Sequence, residues 1–500
     1  MCQGVSIFIA AGETKLSQRK LTRHRKNDEV IINGVKIRVK FNSGHYYQFD
    51  SQLSRNQVIS RLRVIAEHKD KAVIQHQFLP LVIREQNFYK FHMSELNGKQ
   101  VAIFTPKIRP IAEIAHSDAA IYTWYASLLA TEYEKALQIY GIQNVPTAYR
   151  KGQGSNIEAA KEVFDFVAKL DSAWVIKGDF KSFFDTLNHS VLKQSVAKLV
   201  VKGQRSRLPN DWYVVLSHLM RYTSIDVNDI PESMLLHAEA TGRYVESVKE
   251  LGNAISSGVL KVKKHTGEGI PQGTTMSATL ANVYMLGFDR IIHKMISQLD
   301  GTYRRYSDDF VIVLPGNVGV ERAKKIMHQI IEISNRSAKL QIEPKKTKLL
   351  FFDNFMVSKF NVKTNSWERT AFDYLGFVFT GKKVLLRTKS LLKFSRKSRR
   401  SVRSSVFLSK QLDEHKLKFK KQSKERHLQM YEFYLRTDTN FSFAGYAHRA
   451  QKIFSHSSQL YDVVINKQAN KMIQNAQKYF GLRRLMFSNK TCNKHHFKEE

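Results

Sequence analysis

Asp308 and Asp309 stand side by side in Tyr306-Ser307-Asp308-Asp309, just before the apolar run Phe310-Val311-Ile312-Val313-Leu314. That run, apolar and β-branched, has the make-up of a buried strand. Two carboxylates at its lip repel each other, and burial makes each harder to ionise. A divalent cation removes that penalty, because Mg²⁺ prefers hard oxygen ligands. Taken alone, the pair serves equally well as a surface turn.

Other stretches could share chemistry with it. Ala173-Trp174-Val175-Ile176 is strand-like and runs into Lys177-Gly178-Asp179. Asp179 therefore ends a strand, where sheets that carry helices commonly place their chemistry. Lys107 and Arg109 are two residues apart after the strand-like Val101-Ala102-Ile103-Phe104. A period of two puts both cations on one face, suited to a triphosphate or simply to solvent. Arg150 and Lys151 open a glycine-punctuated basic loop ending at Ser155. Gly267 to Thr275 contains Pro271-Gln272-Gly273, and its glycines allow backbone to approach a ligand closely. The small residues Ser277, Ala278 and Ala281 follow, and would let a nucleic acid strand lie against a helix.

The elements that must position these residues follow from pattern. A hairpin is expected around Asn33-Gly34. Helices are expected over 56–68, 118–140, 156–170, 189–200 (capped by Asn188) and 319–338. Residues 203–256 read as mainly helical. Phe372 to Phe379 reads as one apolar strand, turned back at Gly381. From Thr388 the chain becomes basic: Lys389, Lys393, Arg396, Lys397, Arg399, Arg400 and Arg403 lead into lysine-rich helix to about 435. Two more helices are expected near 440–455 and 458–478.

Composition bounds the partners. The 500 residues suffice for roughly three or four domains. Lys and Arg number 80 against 44 Asp and Glu, a formal charge of +36. That excess points to a polyanion, most simply nucleic acid. No apolar run approaches the ~20 residues of a membrane span, and Val5–Ala11 is too short for a secretory core. The two cysteines, Cys2 and Cys492, exclude a disulfide framework and fit a reducing, cytoplasmic setting. With His495 and His496, Cys492 makes a poor zinc set. The basic cluster Lys15, Arg19, Lys20, Arg23, Arg25 and Lys26 serves either as a solvated terminus or as an arm on RNA or a second subunit.

In chain order these are a cationic strand, an Asp ending a strand, a Pro-Gln-Gly loop, Tyr-Ser-Asp-Asp, a lysine turn and Tyr374-Leu375-Gly376-Phe377. The series resembles the reverse transcriptase family over roughly residues 95–385. The resemblance implies an α+β right-hand polymerase: fingers, a ferredoxin-like palm of antiparallel sheet with helices on one face, and a helical thumb. Its implied divisions are an extension over 1–95, fingers over 96–170 and a palm over 171–385 with an insertion at about 200–265. A basic thumb over 386–480 and a tail over 481–500 complete the chain, leaving no room for a nuclease or maturase domain after 480.

The resemblance also implies roles. Asp179, Asp308 and Asp309, with the backbone carbonyl of Phe180, hold two Mg²⁺ ions, Mn²⁺ being the substitute. Lys346 is the candidate general acid at the leaving group, with Lys345 and Lys348 as rivals. Lys107, Arg109 and Gln272 meet the incoming dNTP. Phe184, five residues past Asp179, excludes a ribose 2′-hydroxyl, with Phe183 as rival. Tyr306, Tyr374, Gly376, Arg150 and Lys151 contact primer or template, Tyr374 to Phe377 forming the primer-holding hairpin. The implied activity is RNA-directed DNA synthesis with dNTPs on a dedicated noncoding RNA template, leaving a DNA product, in a bacterial antiviral defence system of the abortive-infection type. Template-independent or protein-primed synthesis, a retron-type enzyme and an RNA-binding scaffold with a relict palm are the competing readings. Self-association is left open. Two small departures from the family stand out: Ser307 replaces a common Ala, and Thr-Thr-Met-Ser-Ala-Thr follows Gly273.

Overall fold

The computed structural model describes residues 28–39, 46–96, 99–201, 207–361, 366–414 and 442–484. The N-terminal basic cluster, both cysteines, His495, His496 and the lysine-rich stretch over 415–441 lie outside the described residues. No described helix is long and apolar enough to cross a membrane. The chain divides into two compact units, one of residues up to 141 with 182–286, the other of 142–181 with 287 onward.

The first unit begins with the expected hairpin, Asp28–Ile32 paired to Val35–Val39. Asn33 and Gly34 both have positive φ, as a two-residue I′ turn requires. Lys99–Glu113 pairs along its length with Leu81–Leu96, a partner the sequence pattern did not disclose. Thr223–Asp226 and Lys263–Lys264 complete that sheet. Thr223–Asp226 lies within the segment that reads as helical, too short to show an alternating pattern among its three neighbouring helices. The helix His116–Ile139 buries Ile121, Trp124, Tyr125 and Leu129. Asn188 caps His189–Val200 by accepting from the amides of Ser190 and Val191. Of the small residues after the glycine loop, Ser277 and Ala281 are buried and Ala278 is half-buried.

The second unit is built on a six-stranded antiparallel sheet. Its order is Ser366–Thr370, Met356–Asn361, Lys348–Asp353, Ser172–Asp179, Asp309–Pro315, Thr302–Tyr306. The two strands with near-continuous apolar runs are central, because only there are both faces covered. Alternation then sorts the side chains. Val175, Val311, Val313 and Leu350 pack with Ile157, Ala160 and Phe164 of the helix Asn156–Ala168. Tyr303 and Arg305 take the opposite face and bond to Asp289 of the helix Ser277–Ser297. The architecture is α+β, with helical cover on both faces of the sheet.

A smaller sheet of Phe372–Tyr374, Phe377–Phe379, Lys383–Leu386 and Asp462–Val463 joins the same core. The stretch that reads as one apolar strand is thus a hairpin, since Leu375 and Gly376 turn the chain at positive φ. The helix Thr388–Glu414 buries Leu391 and Phe394 and leaves its row of cations from Lys389 to Arg403 exposed. Phe394 packs with Ile473 and Ala476 of the helix Ile465–Arg484. The helix Phe443–Ser455 completes the described C-terminal part.

Arg305 and Asp289 form a fully buried pair. Arg305 Nε lies 2.9 Å from Asp289 Oδ1 and Arg305 Nη2 2.7 Å from Oδ2, with both side chains 0% exposed. Removing one partner strands the other charge in the core, which typically costs about 3–5 kcal/mol. Asp289→Ala is therefore expected to lower the unfolding free energy, read from denaturant titration, by that amount. A change below about 1 kcal/mol, the scale of an exposed pair, would show that the guanidinium finds water instead.

Candidate active site

The central strands bring the acidic residues together. Asp179 and Asp309 are cross-strand partners in the sheet register, so their Cα atoms are about 5 Å apart. Asp308 is the second residue of the two-residue loop closed by the Tyr306–Asp309 pair. Its carbonyl accepts from the Phe180 amide at 3.1 Å, which fastens the loop to the chain just past Asp179. Phe180 itself is a core side chain against Phe288 and Phe310, leaving only its backbone for a ligand.

The loop is strained and braced. Ser307 has φ 59°, the value a II′ hairpin turn demands at its first central position, where Gly is preferred. Arg305 Nη1 donates to the Ser307 carbonyl at 3.0 Å. The Arg305 backbone is held in turn, donating to Val145 and accepting from Thr147. Gly178 is required one residue before Asp179. A Cβ there would stand 2.2 Å from Cζ of Phe310.

The carboxylates are poised for a cation. Burial, together with the Asp179 charge, pushes Asp308 above the usual carboxylate range. Burial pushes Asp309 up to about 6, with Asp308 and Asp179 adding to the effect and Lys177 and Arg387 opposing it. Lys346 Nζ bonds Asp179 Oδ1 at 2.6 Å. The reason lies in the backbone. Residues 341–343 run beside Asp179–Lys181, with Glu343 N donating to the Asp179 carbonyl at 2.8 Å and Lys181 N to Gln341 at 2.9 Å. The turn that follows delivers Lys346, not Lys345 or Lys348, to the carboxylate.

Among the described residues no three His, Cys, Asp or Glu side chains already stand as a metal cage. The donor set nonetheless fits a hard divalent ion. It is all oxygen, burial disfavours the anions of Asp308 and Asp309, and Asp179 has drawn an ammonium to itself.

Behind the acidic trio lies a network that motif reading missed. Lys177 shares the face of Asp179 and Asp309 by alternation. Its Nζ bonds both the carbonyl and the carboxylate of Asp373 at 2.7 Å. Arg387 Nε meets the other Asp373 oxygen at 3.2 Å. The only signal in the sequence is spacing: Lys177 precedes Asp179 by two.

Other sequence candidates fall where their backbones put them. Tyr306 is half-buried, and burial pushes its phenol up, with Tyr149 next in effect. Tyr374 is fully buried, so only its backbone and the Leu375-Gly376 turn remain to touch a ligand. Arg150 spends its guanidinium on the carbonyls of Gln143 and Pro146, while Lys151 is exposed.

The first unit assembles a second group. Lys107 and Arg109 lie opposite Phe88 and Gln86 in the long hairpin. The Arg109 guanidinium sits over the Phe88 ring at 5.5 Å. The base of that strand is tied to the glycine loop, since Ala112 N donates to the Gln272 carbonyl at 2.7 Å. Gln272 Nε2 reaches Asp185 Oδ1 at 3.3 Å, and Ile270 N donates to the Phe184 carbonyl at 2.9 Å. Phe183 is buried and Phe184 half-buried, leaving Phe184 with the free ring surface.

Residues 138–379 match the family model described as reverse transcriptase (RNA-dependent DNA polymerase). The chain is 21% identical over 378 residues to Protein YkfC of Escherichia coli K12, spanning 68% of this chain and 81% of that one. Among solved structures it is similar to the apo telomerase of Candida tropicalis truncated from its C-terminal domain (13% identical, TM-score 0.31), of which it covers 56%, using 63% of its own length. It is also similar to the telomerase of Candida albicans with the TWJ fragment of telomeric RNA (12% identical, TM-score 0.34; 89% of this chain, 72% of that one).

The raised Asp309 has a pH consequence. A carboxyl lifted to about 6 holds its proton more tightly in the folded chain. Its contribution to stability is present at low pH and is lost as pH rises from the ordinary carboxylate range through about 6. For a divalent ion held by these carboxylates the dependence would run the other way, with affinity falling as pH drops through that value. Lys177→Met removes a charge that holds Asp309 down, so the fall should move to higher pH in calorimetric Mg²⁺ titrations. An unshifted profile would mean that Lys177 does not act on Asp309.

Proposed function

We propose that the chain, whose residues 138–379 match the reverse transcriptase family model, is an RNA-directed DNA polymerase, and that Asp179, Asp308 and Asp309 are its catalytic carboxylates. The observation that carries this is the register pairing of Asp179 with Asp309, with Asp308 at the intervening turn. Bound there, divalent ions would activate the primer hydroxyl and offset charge on the leaving pyrophosphate. The three side chains and the Phe180 carbonyl would hold them. Lys346, already beside Asp179, is placed to give a proton to the leaving group. Lys107 and Arg109 grip the triphosphate, and Gln272 orients the nucleotide. Phe184 blocks the 2′-hydroxyl. The Leu375-Gly376 turn and Tyr306 steady the primer end. The exposed cations between Lys389 and Arg403 track the phosphates of the primer–template duplex.

The template we propose is a dedicated noncoding RNA, and the setting a bacterial antiviral defence system.

Two sets of variants test the reading. Asp179→Asn and Asp308→Asn should each reduce Mg²⁺-dependent dNTP incorporation on an RNA template by at least about 10²-fold, the scale of losing one charge-stabilising group. Retained incorporation would remove the trio from the chemistry. Phe184→Ala should leave dNTP incorporation standing and raise ribonucleotide incorporation, read in a steady-state competition. Sequencing the RNA and DNA that copurify with the chain identifies the template. Product lacking any complementary RNA would turn the reading towards untemplated synthesis.

A further inference from the structure

The hairpin of Phe372–Tyr374 and Phe377–Phe379 turns on two residues, Leu375 and Gly376, because Tyr374 and Phe377 are the last pair. Their φ values are 46° and 97°. Positive φ at both positions is the I′ pattern, for which Asn-Gly is the favoured sequence. Glycine takes it freely. Leucine does not, and a bulky side chain in the left-handed region persists only where its surroundings over-determine it.

Those surroundings can be named. The Leu375 side chain packs against the core of the second unit. Arg387 N donates to the Gly376 carbonyl at 2.9 Å. Asn156 Nδ2 donates to the Leu375 carbonyl at 2.9 Å and to the Tyr446 hydroxyl at 2.9 Å. A carboxamide nitrogen has two hydrogens, and here each has its own acceptor. Asn156 is itself fixed, as the first residue of the helix Asn156–Ala168 after a Ser155–Glu158 capping box. Tyr446 belongs to the helix Phe443–Ser455, and its ring stacks on Phe377. One side chain therefore joins the start of a helix, a strained turn and a C-terminal helix more than 280 residues away (446 − 156 = 290).

We propose that Asn156 is a positioning residue for primer engagement. It holds the Leu375-Gly376 turn in its strained shape and couples that shape to the helix Phe443–Ser455 through Tyr446. This rests on the reading that the turn meets the primer. Asn156 touches no reacting group, so its loss should act on primer binding and not on the chemical step.

The test uses the full chain, an RNA template and a DNA primer. Asn156→Ala should raise the primer KM by about tenfold, the upper range for one lost hydrogen bond, with kcat and the dNTP KM unchanged. Asn156→Asp should do the same. It is isosteric, favourable in a first helical turn and, once ionised, has no hydrogen to donate, so it covers the case in which the alanine variant does not fold. Leu375→Asn supplies the residue an I′ turn prefers. Combined with Asn156→Ala it should return the primer KM to near the native value. A helix-start defect would not be repaired that way. An unchanged primer KM in both Asn156 variants, or a raised one that Leu375→Asn does not recover, overturns the proposal. Gly376→Ala, which strains the turn directly, separates the two levels. If it raises the primer KM while the Asn156 variants do not, only the latch fails. If it leaves the primer KM unchanged, the turn does not meet the primer, and both readings fall.

Discussion

Like charge set against like charge across a sheet governs this molecule. Asp179 and Asp309 face each other in register, and Asp308 adjoins them at the turn. Such a pair opposes the sheet that contains it. It is tolerated because its strands are central, apolar and covered on both faces. Counter-charges stand close by: Lys346 on Asp179, and Lys177 backed by Asp373 and Arg387 near Asp309. The same arrangement that makes the acids expensive makes them avid for a cation. Stability and the proposed chemistry meet in one register pair.

Rigid bracing recurs wherever the chain bends sharply at a candidate contact. Ser307 and Leu375 both occupy backbone conformations that their side chains resist. Each has its carbonyl held by a side chain, Arg305 of the entering strand for Ser307 and Asn156 of a distant helix for Leu375. Strain of this kind survives only where several groups fix it together. In both cases the holding group is itself anchored, Arg305 by Asp289 and Asn156 by the Tyr446 hydroxyl.

Much of this was legible in the sequence, for physical reasons. Ala173–Ile176 and Phe310–Leu314 announced central strands because continuous apolar runs need cover on both faces. Asn188 announced a helix start and Asn33-Gly34 a hairpin, each through local hydrogen bonding or permissive φ. What stayed hidden depended on tertiary pairing. Leu81–Leu96 mixes Arg, Glu, Lys and His with apolar residues and is a strand because Lys99–Glu113 lies beside it. The Leu375-Gly376 turn was masked in the hydropathy pattern by apolar neighbours on both sides, and only the family resemblance implied a hairpin there. Lys177, Asp373 and Asn156 carry no motif, and their parts are set by distances of many residues along the chain. Among the three lysines after Pro344, only backbone bonding to Asp179–Lys181 singles out Lys346.

The sheet order carries one more implication, for synthesis on the ribosome. Ser172–Asp179 sits in the middle of its sheet, yet it is the first of the six strands to be made. Its neighbour Asp309–Pro315 emerges about 130 residues later. At some 5–20 residues per second that interval is on the order of ten seconds. Throughout it a sticky apolar segment lacks its native hydrogen-bonding neighbours. The nascent chain thereby carries an unpaired apolar strand, the kind of surface that is aggregation-prone until its neighbours arrive.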